Sequence, residues 1–224
     1  MVHGRGRLSA LIGGLVATAL AASIAVPAAT AAPPKRKPVP KIVTGTFTGR
    51  YPGVGRGPIT PYVTWSGSAT FTMDHREGAR YFYKLTAFSM EWKAVKRQDW
   101  ADDSCPATGG GTFTLANAET PLPSGGMYDY ALAPGEYNFS IALKNAQMPY
   151  TYTCTSGETG TGSYLIKSLA LDTSKADPVY RSVLPTSPNG KVFRGQYETG
   201  AAQLGSDWTW NLVGKKLFKG PKPY

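Results

Sequence analysis

Histidine and cysteine are scarce in this chain of 224 residues, with two of each. One of the two imidazoles, His3, falls in the N-terminal leader, and Cys105 and Cys154 stand far apart, so what is left builds no usual structural zinc site, CxxC redox motif or iron–sulfur centre, and the sequence calls for no metal and no cofactor. The GxSxG and HExxH patterns are missing, which removes the familiar signatures of serine hydrolases and zinc proteases. Charge is sparse as well, at 17% of residues, while 12% are aromatic and 42% hydrophobic. Such a chain buries a core and is not disordered. Its 26 Gly and 18 Pro show no collagen-like period, and no stretch after the leader keeps a helical repeat of apolar residues.

One long apolar run exists, from Leu8 to Val26. It follows Arg5 and Arg7 and precedes Ala29-Thr30-Ala31, the order of a secretory signal peptide with cleavage expected after Ala31. An uncleaved anchor is the competing reading, since about 20 apolar residues span a bilayer; Gly13, Gly14 and Pro27 favour cleavage. The expected organisation is therefore a signal peptide at 1–31, a basic Pro-rich arm at 32–41, a β-rich globular domain at 42–214 and a basic tail at 215–224. The expected location is extracellular, with no stable membrane span after cleavage.

The formal charge of +10 suggests nucleic acid until the charges are placed. Residues 42–214 hold 14 basic and 14 acidic side chains. The excess sits in Arg5 and Arg7 of the leader, in Lys35, Arg36, Lys37 and Lys41, and in Lys215, Lys216, Lys219 and Lys222. A neutral body without a basic stripe is not a duplex-binding surface, so no nucleic-acid partner is expected. The two Pro-containing basic ends suit loose attachment to anionic cell-envelope polymers, or serve only as solubilising tails.

The body reads as strands. Val63, Trp65, Gly67, Ala69, Phe71 and Met73 alternate with Thr64, Ser66, Ser68, Thr70 and Thr72, a period of two with one apolar face. Asp74 to Gly78 is expected to turn the chain. The return run places Tyr81, Tyr83, Leu85 and Ala87 on odd positions, then Phe88, Met90, Trp92 and Ala94 on even ones. That phase change predicts a β-bulge near Ala87. Alternation recurs around Phe113, Tyr137 to Leu143, Tyr150 to Cys154, Leu169 with Leu171, and Trp208 to Leu212. Gly109 to Gly111, Pro121 to Gly126, Ala146 to Pro149, Ser156 to Gly162 and Ser187 to Gly190 read as turns. The fold class implied is all-β, an antiparallel β-sandwich or barrel, with one disulfide between Cys105 and Cys154.

Candidate chemistry concentrates before that disulfide. Asp99, Asp102 and Asp103 flank Trp100, and an aromatic plate beside hydrogen-bond acceptors suits a pyranose, which offers both a C–H face and hydroxyls. The same residues also read as a solvated charge mixture with Lys93, Lys96 and Arg97 around a core-capping Trp100. His75, the one imidazole beyond the leader, reads as an exposed turn residue, and Trp65, Trp92, Trp208 and Trp210 read as core. The function expected is a secreted, non-enzymatic extracellular or envelope-associated binding module for polysaccharide. A carboxylate-based hydrolase or lyase is the alternative, because acidic pairs facing across a cleft are invisible in sequence. A protein-binding or inhibitory module is a third.

Overall fold

The longest alternating stretch of the sequence forms the longest hairpin of the fold: β2 (Val63–Glu77) pairs with β3 (Arg80–Ala94). The computed structural model describes residues 38–51, 60–97, 105–119, 124–129, 136–144, 146–172, 180–186, 191–199 and 207–219. Residues 1–37, with the expected signal peptide, and 220–224 lie outside these. Along β2 and β3 the residues expected in the core, Val63, Trp65, Ala69, Phe71, Tyr81, Tyr83, Leu85, Phe88, Met90 and Trp92, are buried. The bulge falls where the phase changes. Thr70 opposes Ala87 and Phe71 opposes Leu85, so Thr86 is the extra residue. Its hydroxyl bonds to the Thr72 hydroxyl at 2.9 Å and donates to the Thr70 carbonyl at 3.2 Å.

The turn is shorter than the sequence suggests. Strand β2 continues to Glu77, with a second irregularity at Asp74, and Glu77 pairs with Arg80 across the two-residue loop Gly78-Ala79. Gly78 has φ 55°, a conformation a two-residue hairpin loop requires and glycine supplies without a Cβ clash. His75 therefore stands on a strand, where the pleat fixes its direction.

The hairpin is the middle of a ten-stranded antiparallel sheet. The remaining strands are β1 (Pro38–Tyr51), β4 (Ala107–Thr108), β5 (Gly110–Thr114), β6 (Gly125–Asp129), β7 (Glu136–Ala142), β8 (Gln147–Thr153), β9 (Thr159–Leu165), β10 (Ser168–Asp172), β11 (Tyr180–Thr186), β12 (Val192–Thr199) and β13 (Asp207–Lys219). The order in the large sheet is β10-β7-β6-β3-β2-β1-β13-β12-β11, with β5 also on β3. The Thr86 bulge marks a change of partner: β3 pairs with β6 over Arg80–Lys84 and with β5 over Ser89–Lys93. A bend at such a bulge is what lets one strand serve two neighbours. The sheet curls into a half-barrel, and rings from distant strands meet inside it. Tyr137 and Phe139 of β7 lie edge-on to Phe193 of β12, at 5.1 and 5.7 Å. The Tyr137 hydroxyl donates to the Arg194 carbonyl at 3.1 Å and accepts from Trp210 Nε1 at 2.9 Å.

Several strand glycines, among them Gly111 and Gly126 that read as turn residues, are covered by aromatic rings. Gly49 pairs with Trp65, Gly67 with Phe47, Gly111 with Trp92, Gly126 with Phe139 and Gly195 with Trp210. A Cβ at any of these would fall within 3 Å of the paired ring. An aromatic packed over its cross-strand glycine restores the burial that glycine lacks. One interior row runs Trp208, Gly49, Trp65, Trp92, Gly111 across five strands, and those three tryptophans are buried as expected.

The second sheet has the order β4-β8-β9. It packs by a tyrosine stack in which Tyr164 lies 4.5 Å from Tyr150 and 6.4 Å from Tyr62. Cys105 and Cys154 form a disulfide at the open ends of β4 and β8. Closing a loop of 49 residues stabilises the fold by about 4 kcal/mol in the loop-entropy estimate.

The stretches read as basic ends are partly paired with each other. Pro38 opposes Lys219, Pro40 opposes Leu217 and Ile42 opposes Lys215, so Lys41, Lys215, Lys216 and Lys219 belong to a two-stranded ribbon. Among the described residues no helix is long and apolar enough to cross a membrane.

Candidate functional site

Residues on the outward phase of β3 alternate with the buried Tyr81, Tyr83 and Leu85, and two of them, Phe82 and Lys84, open a cleft. Across the sheet the register sets His75, Phe82, Met127 and Asn138 in one row and Thr72, Lys84, Gly125 and Ser140 in the next. Strand β6 contributes Gly125 to the outward row, between Lys84 and Ser140, and the missing side chain leaves a trough. The resulting open cleft measures about 640 Å³ and is lined by Asp74, His75, Phe82, Lys84, Met127, Asn138 and Ser140 with the backbone of Gly125-Gly126. That volume suits a ligand of one or two sugar rings or a comparable small molecule.

The polar groups are tied together. His75 Nδ1 lies 2.9 Å from Asp74 Oδ2, Lys84 Nζ lies 3.4 Å from Asp74 Oδ1, and His75 Nε2 lies 3.6 Å from Glu77 Oε1. The imidazole stacks on Phe82 with centroids 4.6 Å apart and planes 8° from parallel. The His75 hydrogen bond, aided by Lys84 and opposed by desolvation, holds the Asp74 carboxyl below the ordinary aspartate range. Asp74 thus stays ionised in mild acid and accepts hydrogen bonds there.

This geometry builds a plate more than a relay. In a nucleophilic triad the carboxylate orients Nδ1 and Nε2 faces a hydroxyl. Here Nε2 faces the Glu77 carboxylate and the ring lies flat on Phe82. What the cleft offers is the stacked His75–Phe82 pair and a thioether, together with carboxylate, ammonium, amide and hydroxyl groups. A smaller depression of about 290 Å³ at the far end of β1 is lined by Arg50, Asp207, Gln196 and three threonines, and its two charges are occupied with each other at 3.3 Å.

The site singled out in the sequence, Asp99, Trp100, Asp102 and Asp103, lies outside the described residues. Its anchors are described. Arg97 N–H donates to the Cys105 carbonyl at 2.9 Å, and Lys96 bridges to Pro106. The Arg97 guanidinium pairs with Glu158 at 2.7 Å and sits 4.7 Å from the Tyr152 ring centre. Together with the disulfide, these contacts fix Arg97 and Cys105, the described residues on either side. Among the described residues no three His, Cys, Asp or Glu side chains gather as a metal site.

Sequence reasoning passed over the Phe82 cleft because it placed His75 in a turn and gave Gly125 and Gly126 to a turn. One signal was present: Phe82 is an aromatic residue on the polar phase of β3, the mark of an exposed ring with a use or a cover. No known family model matches the chain, and no curated protein or solved structure is similar to it.

Proposed function

We propose that the protein is a secreted, non-enzymatic binding module of the extracellular space or envelope, and that it holds a saccharide unit of a polysaccharide in the Phe82 cleft. The observation that carries this reading is that one cleft is lined by the apolar Phe82 and Met127 together with the polar Asp74, Lys84, Asn138 and Ser140. A pyranose needs both, a surface for its C–H face and partners for its hydroxyls. Export rests on the leader at 1–31 and is supported by the disulfide, which persists in oxidising compartments. Anionic envelope polymers are the partners proposed for the basic ends.

The test is retention of the mature chain on a panel of polysaccharides, run beside Phe82→Ala, Asn138→Ala and Trp100→Ala. Loss of a stacking contact is expected to weaken binding roughly three- to tenfold in Phe82→Ala, with the melting curve showing that the variant is folded. Binding that survives the two cleft substitutions but disappears with Trp100→Ala moves the site to the 98–104 segment. Absence of retention on every polysaccharide rejects the reading.

A further inference from the structure

The strand pair β1–β13 is uneven in charge. Its 27 residues carry Lys41, Arg50, Lys215, Lys216 and Lys219 against one carboxylate, Asp207, and that carboxylate is taken by Arg50 at the opposite end. The four lysines lie within the last turns of the ribbon, all exposed, and none enters an ion pair or side-chain hydrogen bond among the described residues. Lys41 and Lys216 stand between the Pro40–Leu217 and Ile42–Lys215 pairs, so the charges are set on one short frame instead of on free tails. Like charges held this close repel, and an external anion relieves that repulsion.

The register links this ribbon to the cleft. Lys215 opposes Ile42, Ile42 opposes Thr72, Thr72 opposes Lys84, Lys84 opposes Gly125 and Gly125 opposes Ser140. One outward row therefore runs from the ribbon through Lys84 into the cleft. Lys215 and Lys84 are three strand spacings apart, about 14 Å, and Lys215 and Lys219 about 13 Å along the strand. Asp74, beside this row, is in hydrogen-bond contact with His75 and pairs with Lys84.

We infer that the ribbon and the cleft form one binding track, and that its ligand is a linear anionic glycopolymer whose repeating phosphate or carboxylate groups contact Lys215, Lys219 and Lys84 while a sugar or polyol unit occupies the cleft. This rests on the cleft reading above and adds the chemical class of the ligand. A membrane surface fits less well, because Leu217 is the one large apolar side chain exposed on the ribbon and a single leucine gives no insertion. Binding two adjoining segments of one polymer also multiplies weak contacts through effective concentration.

The experiment measures binding of the mature chain, its Lys215→Gln/Lys219→Gln form and its Phe82→Ala form. The probes are poly(glycerol phosphate), polygalacturonate, a neutral β-glucan and phosphatidylglycerol vesicles, each titrated from low to high salt. The ribbon variant is expected to lose roughly thirtyfold in affinity for a polyanion at low salt. Its slope of log K against log salt is expected to fall by about 1.5, and its binding to the neutral glucan to stay unchanged. Retention on one polyanion and not the other supports the track and names its anion. A ribbon variant with wild-type affinity and slope on both polyanions overturns the inference and leaves the cleft reading standing. A ribbon variant that weakens while Phe82→Ala matches wild type on every polymer overturns the cleft reading, and the single track with it. Ribbon-dependent binding to vesicles as tight as to polymers overturns the glycopolymer in favour of a membrane.

Discussion

Replacing Gly49 by alanine tests whether the glycine–aromatic pairs are built for each other. A Cβ at residue 49 would lie 2.4 to 2.5 Å from three atoms of the Trp65 ring, well inside van der Waals contact. Trp65 is 3% exposed and flanked by Trp92 and Ala94 in the same interior, so the ring has little room to withdraw. Overpacking of this kind costs about 1–3 kcal/mol. Restricting the unfolded chain returns about 0.4–1 kcal/mol, leaving a net loss of roughly 1–2 kcal/mol. For a body of this size that lowers Tm by about 2–8 °C. Trp65→Leu removes the ring and is expected to cost about 2–4 kcal/mol by itself, a large-to-small core change. In the Trp65→Leu background the Gly49→Ala substitution no longer meets a ring, so it becomes neutral or slightly stabilising. The coupling across the cycle is then about 1–3 kcal/mol, read by urea unfolding of the four proteins. Additive effects within about 0.3 kcal/mol would show that Gly49 is set by its backbone and not by Trp65.

Three further outcomes follow from contacts described above. Tyr137→Phe strands the indole N–H of Trp210 inside the half-barrel and is expected to cost about 1–3 kcal/mol, measured by chemical denaturation; an unchanged midpoint would mean that the Tyr137 hydroxyl does not tie β7 to β13. In the folded state the Asp74 carboxyl titrates below its unfolded value, so its contribution is present at neutral pH and is lost as pH falls through the folded pKa. His75→Ala is expected to move that titration upward toward the ordinary aspartate value, followed by NMR of the side-chain carboxyl; no upward movement would remove His75 as its main cause. Reduction of Cys105–Cys154 is expected to remove about 4 kcal/mol and to lower Tm by roughly 8–16 °C, and equal melting of oxidised and reduced protein would contradict the loop-entropy account.

Much of the sheet was legible because burial in a strand leaves a period of two, and the Val63–Ala94 segment shows it over both arms. The bulge was legible for the same reason: an extra residue must reverse the phase, and the switch from Leu85 to Phe88 records the reversal. The glycines were misleading because their local meaning is ambiguous. Gly111 and Gly126 look like turn residues until Trp92 and Phe139 are set opposite them, and cross-strand partners are fixed by register, which a single sequence does not state. The cleft was hidden for a related reason. Its row His75, Phe82, Met127, Asn138 gathers residues up to 63 positions apart, and only Phe82, out of phase with its neighbours, gave local notice. The pairing of Lys41 with the Lys215–Lys219 stretch was equally non-local.

That pairing joins the first described strand to the last. Strand β1 lies between β2 and β13 in the interior of the sheet order, so the sheet stays in two pieces until β13 has been made. Contacts between Pro38 and Lys219 span nearly the whole body, and closing so long a loop is slow compared with forming the β2–β3 hairpin. During synthesis the β1–β3 meander must therefore wait with an open edge for β13. A nascent chain of this topology cannot complete its sheet until the β13 segment has left the ribosome.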